Sequence, residues 1–400
     1  MRGKALSEMV LILLIATVAS LTFSIQPTRS TEEPPAVEWS KTYGSGSANS
    51  VIQTSDGGYA LACSGFANFI KTDGSGNMQI DKTYGVSASC IVQASDGGYA
   101  LACSGSANFI KTDASGNMQT SEAYGGSASC IVKTNDGGYA LAGVLGNDFW
   151  LVKTDSVGNM QWSQTYGGTN EESAYSVVHT SDGGYALVGY VWANGRDCWL
   201  VKTDANGNEQ WNKTIEENIS GRFEGRSIIQ TSDGGYAIAI DTYTGANFGD
   251  FWLIKTYAGG SQQWSKTYDG GAGDYSFDVV QTSDGGYALA GERGGGPWPL
   301  PGYGDFWLVK TDADGNELWN VAHGGSGYDQ AYSLVQTSDG GYALAGSWAG
   351  TDCCLVKFSP EQPPPPPPPV PEFPLGSAIP IAVIPVLLYL WRKAKRKTQP

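Results

Sequence analysis

Short apolar runs alternate with turn-forming residues along most of this chain. Residues 175–214 contain four such runs, at 175–180, 185–189, 198–203 and 209–214. An Asp-Gly turn separates the first two runs, a longer connection separates the second from the third, and a turn containing Asp, Asn and Gly separates the last two. Short apolar runs bounded by turn residues predict β-strands, and Asp-Gly favours two-residue hairpins because both positions tolerate positive φ. Each unit of this kind is therefore predicted to form a sheet of four antiparallel strands.

The unit repeats around the sequence D-G-G-Y-A, whose successive copies begin 40, 40, 46, 51, 51 and 55 residues apart. The copies start at Asp56, Asp96, Asp136, Asp182, Asp233, Asp284 and Asp339. Such a period indicates a repeat architecture. Both faces of the strands carry apolar or small residues, so each sheet needs a neighbour on either side. A linear array would need capping repeats, which the sequence does not show, whereas a closed ring needs none.

The two ends of the repeat region fit together. The last repeat stops after its third strand, at residues 352–357, and the unpaired segment 38–42 matches the fourth-strand segment 161–165. We therefore predict an all-β fold: a seven-bladed β-propeller of four-stranded antiparallel blades over residues 37–358. The N-terminal strand would join the last blade and close the ring. Eight and six blades are the alternatives.

The repeat resembles the quinoprotein-type and kelch-type propeller families. The quinoprotein pattern of Asp, a Gly-containing turn and Trp appears as Asp204, Gly207 and Trp211, although the turn is one residue shorter than that family's. A looser resemblance links the repeat to the sialidase Asp-box, with the Trp displaced. These resemblances imply the fold, and they bring no cofactor or substrate with them.

Both termini carry membrane signals. Residues 1–30 are predicted to be a signal peptide, because Arg2 and Lys4 precede an apolar run; an uncleaved anchor is the alternative. Residues 359–374 form a Pro-rich linker, 375–391 a predicted transmembrane helix, and 392–400 a basic cytoplasmic tail. Because positive residues stay inside, the repeat region is expected outside, at the cell surface.

The C-terminal segment also resembles an archaeal sorting signal. Pro371, Glu372 and Phe373 precede the apolar stretch and the basic tail, as in signals of the PEF type. The resemblance implies a surface protein that a sortase-like enzyme processes.

Composition narrows the partners. The net charge is −15 and only 16% of residues are charged, which argues against nucleic acid because that affinity comes from Lys and Arg on phosphates. The expected partners are the membrane, through the C-terminal helix, and a carbohydrate or surface protein. The ring is expected to be monomeric, with no cofactor.

No catalytic or metal-binding set can be assembled from the sequence. His179 and His323 are the two histidines, and they replace Gln and Tyr of the other repeats. The turn 312–317 is rich in carboxylates, as calcium-binding loops are, but we interpret it as an ordinary hairpin turn. Seven lysines recur in the third strands and are predicted to pair with the Asp of each D-G-G turn: Lys71, Lys111, Lys153, Lys202, Lys255, Lys310 and Lys357.

Two covalent modifications are predicted. Cys90 and Cys103 fall opposite each other when the strands are paired about the Asp96-Gly97 turn, which predicts a cross-strand disulfide. Asn212 and Asn218 begin glycosylation sequons, which apply if the chain is exported.

The variable loops suggest where a ligand binds. The D-G-G turns and the turns before each fourth strand are short and uniform, whereas the other connections differ greatly, and variable loops on a rigid scaffold often carry binding sites. We expect a non-enzymatic binding or adhesion module that uses the long-loop face of blades 4–7. The expected ligand-binding residues are Trp192, Arg196, Arg222, Phe223, Arg226, Tyr243, Tyr275, Arg293, Trp298, Tyr303, Tyr328 and Trp348.

The alternative function is an extracellular propeller enzyme: a glycosidase, a lyase or a quinoprotein-like dehydrogenase. It predicts clustered carboxylates or a cofactor pocket, and its first candidates are Glu171, Glu172, Glu224, Asp274 and Arg293.

Overall fold

The computed structural model describes residues 33–65, 68–105, 107–193, 195–215, 221–243, 249–271, 273–294 and 304–361. Every regular element in these ranges is a β-strand. The described residues contain no helix long and apolar enough to cross a membrane. The predicted signal peptide, the transmembrane segment, the basic tail and most of the Pro-rich linker lie outside the described residues.

Hairpin-connected strands pair antiparallel in groups of four. The first three groups contain β1 (Val37–Gln53), β2 (Tyr59–Gly65), β3 (Phe69–Thr72) and β4 (Met78–Lys82); β5 (Ser87–Gln93), β6 (Tyr99–Ser104), β7 (Phe109–Thr112) and β8 (Met118–Glu122); and β9 (Ser127–Lys133), β10 (Tyr139–Leu145), β11 (Asp148–Thr154) and β12 (Met160–Tyr166). The four-stranded sheets predicted from the sequence are therefore confirmed.

The remaining groups follow the same order. They contain β13 (Glu171–His179), β14 (Tyr185–Trp192), β15 (Arg196–Thr203) and β16 (Glu209–Ile215); β17 (Arg222–Gln230), β18 (Tyr236–Tyr243), β19 (Phe251–Thr256) and β20 (Gln262–Tyr268); β21 (Tyr275–Gln281), β22 (Tyr287–Arg293), β23 (Asp305–Thr311) and β24 (Glu317–His323); and β25 (Gln330–Gln336), β26 (Tyr342–Trp348) and β27 (Asp352–Phe358). A single parallel bridge between Arg196 and Arg222 links β15 to β17.

Strand β1 belongs to two groups. Its N-terminal part, from Val37 to Ser45, pairs with β27, and its C-terminal part, from Gly46 onward, pairs with β2. The predicted joining of the N-terminal segment to the last sheet is therefore confirmed. Residues 37–45 cover the edge of β27 that would otherwise be free, and exposed edges invite aggregation.

The core consists of apolar clusters between consecutive groups. Alanine, leucine and isoleucine side chains of one sheet face those of the next, and the same arrangement joins the last group to the first through Ala48, Leu61, Ala345 and Leu355. Each sheet thus buries both of its faces. The first strands of the groups also contact one another in sequence, and β25 contacts β1. We call these first strands the inner wall.

Aromatic residues in or just after the fourth strands fasten most groups to the next. Tyr43 donates a hydrogen bond from its hydroxyl to the carbonyl of Gly76 at 2.9 Å, and the ring of Trp39 packs over the same glycine. Gly76 has a φ of +75°, and a Cβ there would lie 2.6 Å from Trp39, so only glycine fits this turn. Equivalent hydroxyl–carbonyl bonds are made by Tyr84, Tyr124, Tyr166 and Tyr268.

The predicted Lys–Asp pairs are confirmed. All seven third-strand lysines are buried and reach the Asp of their own D-G-G turn, with distances from 2.5 Å for Lys111–Asp96 to 3.0 Å for Lys357–Asp339. Two hydrogen bonds lower the pKa of Asp56 from 3.8 to about 2, and the one from Lys71 has a larger effect than the one from Thr54. The pairs hold the turns of the uniform face against the sheets.

The predicted register around Cys90 was wrong by one residue. A β-bulge at Ser89 sets Cys90 opposite Ala102 and Cys103 opposite Ala88. Cys90 consequently packs toward the β9–β12 group, whereas Cys103 packs toward the β1–β4 group. The predicted Cys90–Cys103 disulfide does not form, because the two side chains lie on opposite faces of one sheet. Asn212 lies on β16 and Asn218 lies outside the described residues.

Truncating the fourth-strand tryptophans should destabilise the protein. We expect Trp319→Ala to lower the free energy of unfolding by about 3–5 kcal/mol, because Trp319 is buried against Tyr342 of the next group. Trp39→Ala should cost less, since Trp39 is only partly buried. Urea denaturation measures both. An unchanged stability for Trp39→Ala would contradict the role of the N-terminal segment in the last sheet.

Acid should destabilise the Lys–Asp pairs. The pKa of Asp56 is about 2 in the folded protein and 3.8 ordinarily, so its contribution is present above pH 3.8 and is lost as the pH falls toward 2. We expect the melting temperature, measured by calorimetry, to fall between pH 4 and pH 2. Asp136→Asn removes one of the seven pairs and should make the fall slightly smaller, and Asp314→Asn, in an exposed turn, is the matched control. A melting temperature that rises on acidification in this window would contradict the prediction.

Candidate ligand-binding site

Every strand of the inner wall carries a β-bulge at the same repeat position. The bulged residues are Asn49, Ser89, Ser129, Tyr175, Arg226, Phe277 and Tyr332. A bulge leaves one residue out of the ladder and re-aims its side chain. The four larger residues come from consecutive groups and touch one another, whereas the other three are small and polar.

The larger residues form what we call the aromatic arc: Tyr175, Arg226, Phe277 and Tyr332. The guanidinium of Arg226 lies 4.7 Å from the ring centroid of Tyr175 and 5.9 Å from that of Phe277. The rings of Phe277 and Tyr332 meet edge to face at 5.2 Å. Because Asn49, Ser89 and Ser129 occupy the equivalent positions, one half of the inner wall is aromatic and the other is not.

A buried carboxylate organises three arginines beside the arc. Glu224 is 1% exposed; Arg196 contacts its Oε1 at 2.5 Å, Arg222 contacts the same oxygen at 2.6 Å, and Arg226 contacts Oε2 at 2.8 Å. Burial acts to raise the pKa of Glu224, but the arginines, Arg226 first, outweigh burial and hold it below its ordinary value. Glu224 is therefore ionised, and we call these four residues the arginine cluster.

The arginine cluster carries an excess of positive charge. Arg226 also contacts Asp241, at 2.8 Å, so three guanidinium groups face two carboxyl groups. Burial raises the pKa of Asp241 despite that contact, so Asp241 contributes less negative charge to the cluster. A locally cationic site on a chain of net charge −15 suits an acidic or hydroxyl-rich ligand.

An aromatic shelf adjoins the arginine cluster. The guanidinium of Arg196 lies 4.4 Å from the ring centroid of Tyr190 and 5.1 Å from that of Trp192, and Trp192 is 48% exposed. Trp192 ends β14 and Arg196 begins β15, so the shelf lies at the end of the sheets opposite the D-G-G turns. Stacking on Arg196 orients the indole and leaves part of its surface open to solvent.

A small cavity opens next to the arginine cluster. It has a volume of about 180 Å³ and is lined by Arg222, Asp241, Thr242 and Tyr275. Typical small-molecule pockets measure roughly 300–1,000 Å³. The cavity therefore suits one group of a larger ligand rather than a whole small molecule.

A ring of small polar residues follows the bulges along the inner wall. Its members, which we call the polar belt, are Ser50, Cys90, Cys130, Ser176, Ser227, Asp278 and Ser333. Ser227 donates to Asp278 at 2.7 Å, and the thiol of Cys90 lies 3.7 Å from that of Cys130. The backbone N–H of Leu334 donates to the other Asp278 oxygen at 2.9 Å. Burial raises the pKa of Asp278. The belt fastens adjacent first strands to one another.

Within the described ranges, three carboxylates approach each other closely enough to suggest a cation site: Asp250, Asp269 and Asp274, whose oxygens lie within 4.8 Å of one another. Asp274 is buried, and its two oxygens accept hydrogen bonds from the backbone of Gly270 at 2.6 Å and Gly294 at 2.8 Å. Burial is the main cause of its raised pKa. These contacts give Asp274 a structural role in holding two loops.

The structure brings together part of the predicted binding set. Trp192, Arg196, Arg222 and Arg226 form the shelf and the arginine cluster, and Tyr275 lines the cavity. Tyr243 ends β18 opposite Arg222 in the pairing register. Trp298 and Tyr303 lie outside the described residues.

Other predicted residues lie elsewhere. Phe223 is 3% exposed and packs against Trp252 at 5.6 Å, so it belongs to the core. Arg293 donates to the carbonyl of Gly270 at 3.0 Å, and Trp348 packs against Phe306. Tyr328 is exposed, and the backbone of Gly350 donates to its carbonyl at 2.6 Å.

Sequence reasoning missed Tyr175, Phe277 and Tyr332. They lie inside strands whose apolar pattern looks ordinary, and the bulge that re-aims them has no turn signature. A signal was nevertheless present. The bulged position varies from Asn and Ser to Tyr, Arg and Phe, whereas its neighbours on the strand change little.

Comparisons with known proteins support the fold alone. No protein-family model matches the chain, and no curated protein compared with it matches either. A quinohemoprotein alcohol dehydrogenase from Pseudomonas putida aligns with a TM-score of 0.53 at 10% identity, over 83% of this chain and 78% of that one. The structure of a streptogramin B lyase aligns with a TM-score of 0.53 at 10% identity, over 80% of this chain and 98% of that one. The chain has a β-propeller repeat fold.

Removing the charge of Glu224 should destabilise the arginine cluster. We expect Glu224→Gln to lower the free energy of unfolding by about 3–5 kcal/mol, because it removes the counter-ion that Arg196, Arg222 and Arg226 share and leaves Asp241 as the one carboxyl group that contacts the cluster. Glu209→Gln, on an exposed strand position, is the matched control and should change little. Urea denaturation measures both. Equal stabilities of the two variants would contradict the organising role of Glu224.

Proposed function

We propose that this protein is a membrane-anchored, seven-bladed β-propeller at the cell surface that binds carbohydrate without catalysis. The ligand binds at the long-loop end of the groups from β13–β16 to β25–β27. The observation that carries the proposal is the asymmetry of the inner wall. Four of the bulged positions hold the aromatic arc, and the other three hold Asn or Ser.

The closed seven-bladed ring is supported by its contacts. Four-stranded groups pack face to face from β1–β4 to β25–β27, and the last group packs against the first. The backbone of Ser338 donates to the side chain of Gln53 at 2.8 Å, as Ser283 does to Gln336 between the two preceding groups. The same inter-group bond thus links the two ends of the repeat region.

The surface location rests on the sequence of the termini. A leader-like segment precedes the propeller, and a Pro-rich stretch, an apolar stretch and a basic tail follow it. These features support export followed by anchoring with the propeller outside. The PEF-type motif further supports sorting to an archaeal cell surface.

Carbohydrate is the ligand that the site chemistry favours. Sugars present apolar ring faces together with many hydroxyl groups, which suit a half-exposed indole beside guanidinium donors. Trp192 is 48% exposed, and Arg222, with 51% of its side chain exposed, lines the neighbouring cavity. An acidic sugar would also gain a charge-assisted hydrogen bond from Arg222.

Binding is favoured over catalysis because two of the candidate carboxylates, Glu224 and Asp274, have structural partners. Glu224 is held ionised by three arginines, and Asp274 accepts two backbone hydrogen bonds. A general acid or base must instead reach a substrate with its proton-transfer atoms.

Substitution of Trp192 on the shelf or of Arg222 in the arginine cluster should weaken ligand binding without unfolding the protein. We expect the full-length protein, purified in detergent and applied to an array of neutral and acidic glycans, to bind a subset of them. Trp192→Ala and Arg222→Ala should each weaken that binding at least about tenfold, because each removes a direct contact. Tyr257→Ala is the matched control, since Tyr257 is an aromatic residue that is 55% exposed at the uniform end.

Two outcomes would contradict the proposal. Glycan binding that both the Trp192→Ala and the Arg222→Ala variants retain would place the site elsewhere on the molecule. A protein that binds no glycan on the array, but captures a surface protein through Trp192, would assign the site to protein adhesion.

A further inference from the structure

The interface between the last and the first sheet group contains two cysteines in contact. Cys63 lies on β2 and Cys353 on β27, 290 residues apart in the chain, and their sulfurs are 3.2 Å apart. Non-bonded carbon atoms pack best at roughly 3.5–4.0 Å, and sulfur is larger than carbon. The sulfurs of Cys90 and Cys130, in the polar belt, lie at an ordinary 3.7 Å.

The two positions are equivalent to a repeated packing pair. In the groups from β9–β12 onward, the third-strand residue four positions before the lysine is Phe149, Cys198, Phe251, Phe306 or Cys353. It faces a second-strand residue of the next group, as Phe251 faces Gly291, where a Cβ would lie 2.6 Å from the ring. Among the described interfaces of this kind, the last-to-first interface is the one that places cysteine at both positions.

We propose that Cys63 and Cys353 form a disulfide that covalently closes the ring between its last and first groups. Both residues are buried, with 1% and 2% exposure, among Leu61, Ala345 and Leu355. Bonding requires the sulfurs to approach by about 1 Å, to the length of roughly 2.0 Å that a disulfide has.

Other cysteines do not compete for either partner. Cys354 lies on the opposite face of β27, in the preceding interface, where its sulfur is 3.8 Å from the hydroxyl of Ser40. Cys103 and Cys198 are buried in clusters that contain no second cysteine. The seven cysteines of the chain therefore include one pair placed to join its two ends.

The bond forms by oxidation of two thiols, which lose two protons and two electrons. A disulfide-containing oxidant outside the cell accepts the electrons by thiol–disulfide exchange and is reduced to two thiols. The hydrogen bond with Cys353, together with burial, raises the pKa of the Cys63 thiol, and a buried neutral thiol reacts slowly. The oxidation therefore belongs to folding, when the last group first meets the first. It rests on the proposed export only for the source of the oxidant.

Peptide mapping of the exported, full-length protein tests the bond directly. Free thiols are alkylated under denaturing conditions without reductant, and the protein is digested and analysed by mass spectrometry. We expect a linked peptide that contains Cys63 and Cys353, while Cys103 and Cys198 are alkylated. Alkylation of both Cys63 and Cys353 in the exported protein would overturn the proposal.

Thermal unfolding with and without dithiothreitol provides a second readout. Reduction should lower the melting temperature of the wild-type protein by roughly 5–10 °C, because the bond closes a very long loop. That shift should vanish in Cys63→Ser and in Cys353→Ser, and it should persist in the matched controls Cys103→Ser and Cys198→Ser. The readout is the change on reduction, so an altered stability of a variant does not confuse it. A shift that survives Cys353→Ser would overturn the proposal. Glycan binding is measured on the reduced and the oxidised protein, so that the test of the proposed function is read separately from the test of the disulfide.

Discussion

The structure depends on burying both faces of every sheet. Each four-stranded group is apolar on its two sides, so it requires a neighbour on each. An interior group finds both neighbours in adjacent repeats, whereas the first and last groups each find their second neighbour in the other. Ala48 and Leu61 of the first group pack against Ala345 and Leu355 of the last group. This interface is the one that buries the remaining apolar faces, and the arrangement of the other groups depends on it.

The chain meets this constraint with several interactions at one place. The N-terminal part of β1 covers the edge of β27, and Tyr43 reaches the first group by the same hydroxyl–carbonyl bond that joins interior groups. The bond proposed between Cys63 and Cys353 lies at this interface too. The strand pairing is formed by two segments more than 300 residues apart, so local structure alone cannot hold it, and loop closure costs entropy.

The inner wall combines a regular scaffold with an irregular site. The bulge recurs in every first strand, so the fold provides one re-aimed side chain per group. Substituting large residues in four consecutive groups creates the aromatic arc without disturbing the ladder. The buried Glu224 then fixes three arginines beside it, and all three remain partly open to solvent. One repeated unit thus produces both the uniform turns at one end of the sheets and a first strand whose bulged residue differs from group to group.

Much of this architecture could be predicted because it is local. The D-G-G turns form the hairpins, and the third-strand lysines lie close enough to the carboxylates of these turns to pair with them. Successive residues of a strand point to opposite faces, which separates Cys353 from Cys354. The unmatched segment at residues 38–42 even predicted the partner of β27.

The tertiary structure decided the features that depend on register and packing. The bulge at Ser89 moved Cys90 away from Cys103, and the bulges at Tyr175, Phe277 and Tyr332 turned strand residues toward the inner wall. Phe223 entered the core although its neighbour Arg222 remained exposed. A bulge is a property of the backbone where strands converge, and one inserted residue exchanges the two faces of everything beyond it. Spacing in the sequence cannot reveal that exchange, because it counts residues and not which of them are paired.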